Sequence, residues 1–164
     1  MRHRILVAGV GNIFLGDDGF GVEVAKRLAT EALPDGVRVV DYGIRGVHLA
    51  YELLDGGYEM TILVDATPRG EKPGTVYLIE ADLDTYSTAA VSSPDAHAMT
   101  PGAVFALLKA MGGSPGRVLI VGCEPQQTAE GIGLSAPVAR AVDEAVRLVV
   151  DFVRREGRSG RNAE

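Results

Sequence analysis

The sequence predicts a three-layer α/β/α sandwich around a five-stranded mixed sheet, and three observations lead there. Short β-branched runs alternate with stretches of helical periodicity along the chain, the pattern of helices packed on both faces of a largely parallel sheet. Ile5–Val10 is a continuous apolar run, suited to a strand buried on both faces. Only 8 residues, 66–73, follow the third strand before the fourth. That is too short for a crossover helix, so the strand at about 75–79 is expected to run antiparallel.

In chain order, residues 5–10 form strand one. Val22, Ala25, Leu28, Ala29 and Ala32 recur at helical spacing on helix one, which begins near Gly19 and is stopped by Pro34 and Gly36. Residues 37–40 give strand two, 47–54 a short helix closed by Gly56 and Gly57, and 60–64 strand three. Thr100 and Pro101 place a hydroxyl at the cap and a ring at the first position of a further helix, whose apolar stripe is Val104, Leu107, Leu108 and Met111. Residues 118–121 give strand five. Ser135 caps the last helix, along which Val138, Val142, Ala145, Val149 and Phe152 repeat at spacings of three and four. Residues 1–155 are therefore read as one domain, and the Gly-, Arg- and Asn-rich residues 156–164 as a disordered tail.

A chain of 164 residues has the size of a single domain that buries roughly 70% of its unfolded surface. Its 16 basic and 22 acidic residues leave a net charge of -6, so no general attraction to nucleic acid or an anionic membrane is expected. No apolar run approaches the roughly 18 residues of a membrane span. Cys123 is the sole cysteine, and the N-terminus leads straight into a strand rather than a signal sequence. A cytoplasmic monomer is the expectation.

The chemistry gathers where strands end, the usual place for ligands in open α/β sheets. Those ends carry Gly9-Val10-Gly11-Asn12 with Asp17-Asp18-Gly19, then Asp41 with Gly43, Asp65, and Cys123-Glu124. A dinucleotide motif fails at its third glycine, which would be Phe14, and the two acids would repel phosphate. The same loop reads better as an acid platform. Asp18 and Asp65 share a cleft if strands one and three are neighbours, and His97 precedes the helix at Thr100. Two carboxylates and one imidazole suit a divalent nickel, zinc or iron ion and leave open positions. Each has a plainer role available: Asp17 or Asp18 as a cap on helix one, Asp65 as a turn acid, His97 as an exposed loop residue. His3 and His48 read as surface residues, Cys123 as a buried core residue, and Glu124 and Asp41 as turn or capping acids.

Gly9-Val-Gly11-Asn12, four residues, then Asp17-Asp18-Gly19-Phe-Gly21, with Asp65 ending strand three and His97 before a helix, resembles the hydrogenase maturation proteases. The likeness spans about residues 4–150 and includes residues 41–46, Val121-Gly122 with Pro125, and Gly131-Ile-Gly-Leu-Ser135. It implies a strand order of 2-1-3-5-4. It also implies an endopeptidase, grouped with the aspartic type, that removes a short C-terminal extension from the large-subunit precursor of a nickel-iron hydrogenase after nickel insertion. The family's metal-contacting positions carry over to Asp18, Asp65 and His97. They are thought to recognise nickel carried by the substrate's cysteines, so no tightly bound resident metal is expected. Asp18 takes the place of a Glu found in some members, a shorter arm of the same ligand type. Asn12, Asp17 and Gly19 match as shaping residues.

For the cleavage itself the sequence offers no Ser, His and acid arrangement of motif quality, no activated Cys and no H-E-x-x-H. Water is the default nucleophile, activated by the substrate's nickel or by Asp18 or Asp65 as general base. A nucleotide-binding oxidoreductase would retain its cofactor on purification. A non-catalytic metal-binding scaffold would tolerate alanine at Asp18, Asp65 and His97.

Overall fold

The computed structural model describes residues 4–81 and 101–162. It contains β1 (Ile5–Val10), a single 3-10 turn (Gly16–Gly19), α1 (Phe20–Leu28), β2 (Val37–Gly43), α2 (Gly46–Gly56), β3 (Met60–Ala66) and β4 (Val76–Glu80). After the undescribed residues come α3 (Pro101–Ala110), β5 (Arg117–Cys123) and α4 (Ala136–Asn162). The strands form one sheet in the order β2-β1-β3-β5-β4. β1 is parallel to β2 and β3, β3 is parallel to β5, and β4 runs antiparallel to β5. The short connection before β4 thus has the expected effect, and the order is the one that the family resemblance implies.

Alternation along the buried strands sends side chains to two cores. On one face Ile5, Val7, Ile62, Val64, Leu119 and Val121 pack with α1 (Phe20, Val24, Leu28) and with α4 from Val138 to Val153. On the other, Leu6, Ala8, Leu63, Val118 and Ile120 pack with Leu49 and Leu53 of α2 and with Val104, Phe105 and Leu108 of α3. Burying six such side chains at roughly 1.5 to 3 kcal/mol each far exceeds what local propensity supplies, so the sheet and its covering helices form together.

Several boundaries differ from the sequence expectation. α1 stops at Leu28, short of Ala32, because the N–H groups of Thr30 and Glu31 bond back to Arg27 and Leu28 in tightening turns before Pro34. β2, β3 and β5 each run two or three residues further toward the strand ends than apolar character suggested, carrying Asp41, Asp65 and Cys123 within the ladder. α4 continues past Arg155 to Asn162, through residues read above as a tail. The proposed cap Thr100 lies outside the described residues. Ser135 does precede α4, and its carbonyl accepts the Ala139 N–H at 2.8 Å.

α1 approaches the sheet through glycine. A Cβ at Gly21 would overlap the carbonyl oxygens of Val64 and Val10, and one at Gly9 would overlap the carbonyl of Gly21. The helix backbone therefore rests directly on the ends of β1 and β3. This contact places the preceding 3-10 turn over the strand ends.

Candidate active site

From β1 the chain turns through Gly11, whose φ of 140° lies in a region that side chains rarely adopt. A Cβ there would strike the carbonyl oxygen of Asp18. The Asn12 N–H donates to Asp18 Oδ2 at 2.7 Å, and Asn12 Oδ1 accepts the Phe14 N–H at 2.9 Å. Asn12 thus braces both sides of the loop. This arrangement leaves Asp18 half-buried, with one carboxylate oxygen committed to the backbone.

Asp65 arrives on β3, next to β1, on the sheet face covered by α2 and α3. Burial pushes its carboxyl well above the usual range, and the negative charge of Asp18 pushes it further. A backbone hydrogen bond with Ala66 opposes this without reversing it. The structure therefore places Asp18 near enough to Asp65 for its charge to act on that carboxyl. His97, the third expected member, lies outside the described residues, as does His3. Among the described residues no three His, Cys, Asp or Glu side chains converge as a metal cluster.

Asp17 has a role different from its neighbour's. Its side chain is fully buried, and α1 has no side-chain cap bond, so Asp17 does not cap that helix. Its Oδ2 accepts the N–H groups of Gln126 at 2.8 Å and Gln127 at 3.0 Å and the Ser135 hydroxyl at 2.8 Å. Its Oδ1 accepts the Ser135 N–H at 2.7 Å. Burial alone would raise its pKa, but these bonds together lower it. Asp17 therefore ties the turn that presents Asp18 to the loop between β5 and α4. It is a shaping residue, as the motif match implied.

The remaining strand-end groups are also structural. Glu124 is buried and accepts the N–H groups of Arg69 at 2.7 Å and Gly70 at 3.0 Å and the Tyr77 hydroxyl at 3.1 Å, holding the loop into β4. Against its own desolvation, those bonds lower its pKa. The Cys123 thiol is fully buried and pushed up to about 12, first by burial and then by the charges of Asp17, Glu144 and Glu124. It is no nucleophile. His48 is exposed on α2, and the Asp41 carbonyl accepts from Arg45 Nη2.

One feature of the site was not legible beforehand. Between α1 and the loop before α4 lies a cavity of about 460 Å³, lined by Ile13, Gly19, Ile132, Leu134 and Ala139, with Glu23 and Lys26 also on its wall. In the sequence the Gly131-Ile-Gly-Leu run stands only as part of a motif. Its pairing with the first loop, through Gly131 N–H to Phe14 O at 2.8 Å and Gly16 N–H to Gly131 O at 2.9 Å, depends on contacts between residues far apart in sequence.

The chain has relatives among known proteins. The HycI family, described as hydrogenase maturation protease, matches residues 22–152. A protein of Methanocaldococcus jannaschii is 37% identical over 157 residues, covering 94% of this chain and 99% of its own. The hydrogenase 2 maturation protease of Escherichia coli is 29% identical over 157 residues, covering 94% and 93%. The solved structure of the hydrogenase maturating endopeptidase HybD from Escherichia coli superposes with a TM-score of 0.79 at 28% identity, with 94% of each chain covered. The family model covers most of the chain and the relatives match nearly its whole length, so the chain belongs to the hydrogenase maturation protease family.

Proposed function

We propose that this protein is an endopeptidase that removes the C-terminal extension of a nickel-iron hydrogenase large-subunit precursor once nickel has been inserted. In this reading the nickel belongs to the substrate, held by the substrate's cysteines, and Asp18, Asp65 and His97 contact it. The observation that carries the proposal is the proximity of Asp18 and Asp65. Two acids from separate elements lie within reach of each other's charge, and among the described residues neither has a basic partner. Such an arrangement costs folding free energy, and a cation arriving with the substrate would offset that cost.

The reaction follows from the same pair. Among the described residues Ser135 is bonded to Asp17 and the Cys123 thiol is buried, which supports water as the nucleophile. A carboxyl whose pKa is raised by burial and a neighbouring charge is a stronger base than an ordinary carboxylate, suited to take a proton from that water and return it to the leaving amine. Asp65 is assigned this task, which is the sense in which the enzyme is of the aspartic type. Asp18, fixed through Oδ2 by Asn12, orients the incoming metal-bearing segment. The deciding experiment is incubation with nickel-loaded and nickel-free precursor, followed by mass measurement of the product. Loss of the extension from the loaded precursor alone is expected. Equal cleavage of both would remove nickel recognition, and cleavage of neither would remove the proposal.

A further inference from the structure

We infer that Thr67 is a positioning residue of the acid site, whose hydroxyl donates a hydrogen bond to the Asp65 carboxylate and fixes its direction when substrate is bound. This inference rests on the endopeptidase reading. Among the described residues two buried hydroxyls have no hydrogen-bond partner, those of Thr61 and Thr67. A buried donor without an acceptor costs folding free energy, and natural proteins keep such breaches mainly at functional sites.

Both residues lie on β3 or its continuation, as Asp65 does. The ladder runs one residue past Ala66, since the Thr67 N–H donates to the Cys123 carbonyl at 2.9 Å. Side chains alternate along a strand, so Thr61, Asp65 and Thr67 share one face of the sheet. At roughly 3.3 Å per residue, Thr67 stands about 7 Å along the strand from Asp65 and Thr61 about 13 Å. The same orphan chemistry thus occurs once beside the acid and once well away from it.

The neighbours across the sheet narrow the choice of acceptor. Gly122 of β5 is the register partner of Asp65 on one side and of Tyr77 on the other. The Thr67 side chain lies over it: a Cβ at Gly122 would meet Thr67 Oγ1 at 2.1 Å and Thr67 Cβ and Cγ2 at 3.0 Å each. Oγ1 therefore fills the place of the side chain that residue 122 lacks, between Asp65 and Tyr77. The Tyr77 hydroxyl is engaged with Glu124 at 3.1 Å. The Asp65 carboxyl is bonded by the Ala66 backbone and, among the described residues, by no side-chain donor. A carboxylate offers about four acceptor sites, so Asp65 has capacity to spare. A turn of Thr67 about its Cα–Cβ bond, from one staggered position to another, redirects the hydroxyl, and no Cβ at residue 122 obstructs it. A carboxylate that must hold a water and pass on its proton works in one orientation, and a second hydrogen bond supplies it.

The test uses the full-length protein and nickel-loaded precursor, and compares Thr67→Val, Thr67→Ser and Thr61→Val. Valine keeps the shape and removes only the hydroxyl, so neither valine variant should lower the thermal midpoint. Thr67→Val should lower kcat by about tenfold and leave KM within about twofold of wild type. Thr67→Ser retains the hydroxyl and should restore most of kcat. Thr61→Val should process precursor at the wild-type rate. Wild-type kcat for Thr67→Val, a loss that serine does not restore, or an equal loss in Thr61→Val would overturn the positioning role while leaving the endopeptidase reading intact. Early unfolding of Thr67→Val would do the same, because it would make the hydroxyl part of the scaffold. Failure of the wild type to process any precursor would overturn both.

Discussion

The carboxylate of Asp17 holds both the backbone N–H and the hydroxyl of Ser135, a residue 118 positions later, at 2.7 and 2.8 Å. The turn bearing Asp18 and the start of α4 are thereby made one unit. Asp18, its immediate neighbour, has no side-chain bond in this joint; its Oδ2 accepts the Asn12 N–H instead.

Removing that joint should be costly. Asp17→Ala leaves the donors of Gln126, Gln127 and Ser135 without their acceptor, and stranded buried donors cost about 1 to 3 kcal/mol each before relaxation. A loss of about 3 kcal/mol or more is expected from urea denaturation midpoints.

The same residue sets an acid limit. Its folded pKa is lowered, so its contribution is fully present above the unfolded value of about 3.9 and is lost as pH falls through the folded value. Wild-type stability should therefore drop below about pH 4, and Asp17→Asn, weaker throughout, should lack that part of the slope. Parallel melts at pH 3 and pH 6 test this directly.

Asp65 should behave in the opposite sense. Its folded pKa is raised, so its contribution is complete below the unfolded value and declines as pH rises through the folded one. Asp65→Asn removes that decline. At pH 7 the variant should be at least as stable as the wild type yet unable to process precursor, and the stability gap should close in acid. A variant less stable at pH 7 would place Asp65 in the scaffold instead.

Gly21→Ala forces a methyl into the carbonyls of Val10 and Val64, and overpacking of this kind costs about 1 to 3 kcal/mol or more. Gly70 offers the contrast, since its φ is 79° but nothing lies within 4 Å of an added Cβ. There Ala should cost only the left-handed strain, about 1 to 2 kcal/mol. Thermal midpoints of the two variants should fall in that order.

Cys123 should resist alkylation in the native protein at pH 8, because its thiol is buried and pushed up to about 12. Iodoacetamide labelling is expected to track unfolding. Fast labelling of the folded protein would contradict the burial.

Nearly all of the fold was legible in the sequence, because periodicity reports burial and burial dominates the sheet. Ile5–Val10 reads as a two-sided buried strand and is one. The failures lie where burial is not the governing variable. β3 extends through Asp65 because ladder bonds do not require an apolar side chain. Asp17 and Asp18 are indistinguishable in chemistry and adjacent in sequence, so no pattern reveals that one is bonded to Ser135 and the other to Asn12. Only the fold of the 126–135 loop decides it. The apolar pocket was hidden for the same reason, since Ile13 and Leu134 meet through loops rather than through a repeating stripe.

The seat of α1 on bare backbone works as a gauge block for the acid pair. Val10 and Val64 belong to the two strands whose ends govern where Asp18 and Asp65 stand, and Gly21 touches both. A methyl at that point would act as a shim, lifting the 3-10 turn from β3 and widening the gap between the carboxylates. The spacing of the two acids is thus set by a missing side chain, at a residue that carries no chemistry of its own.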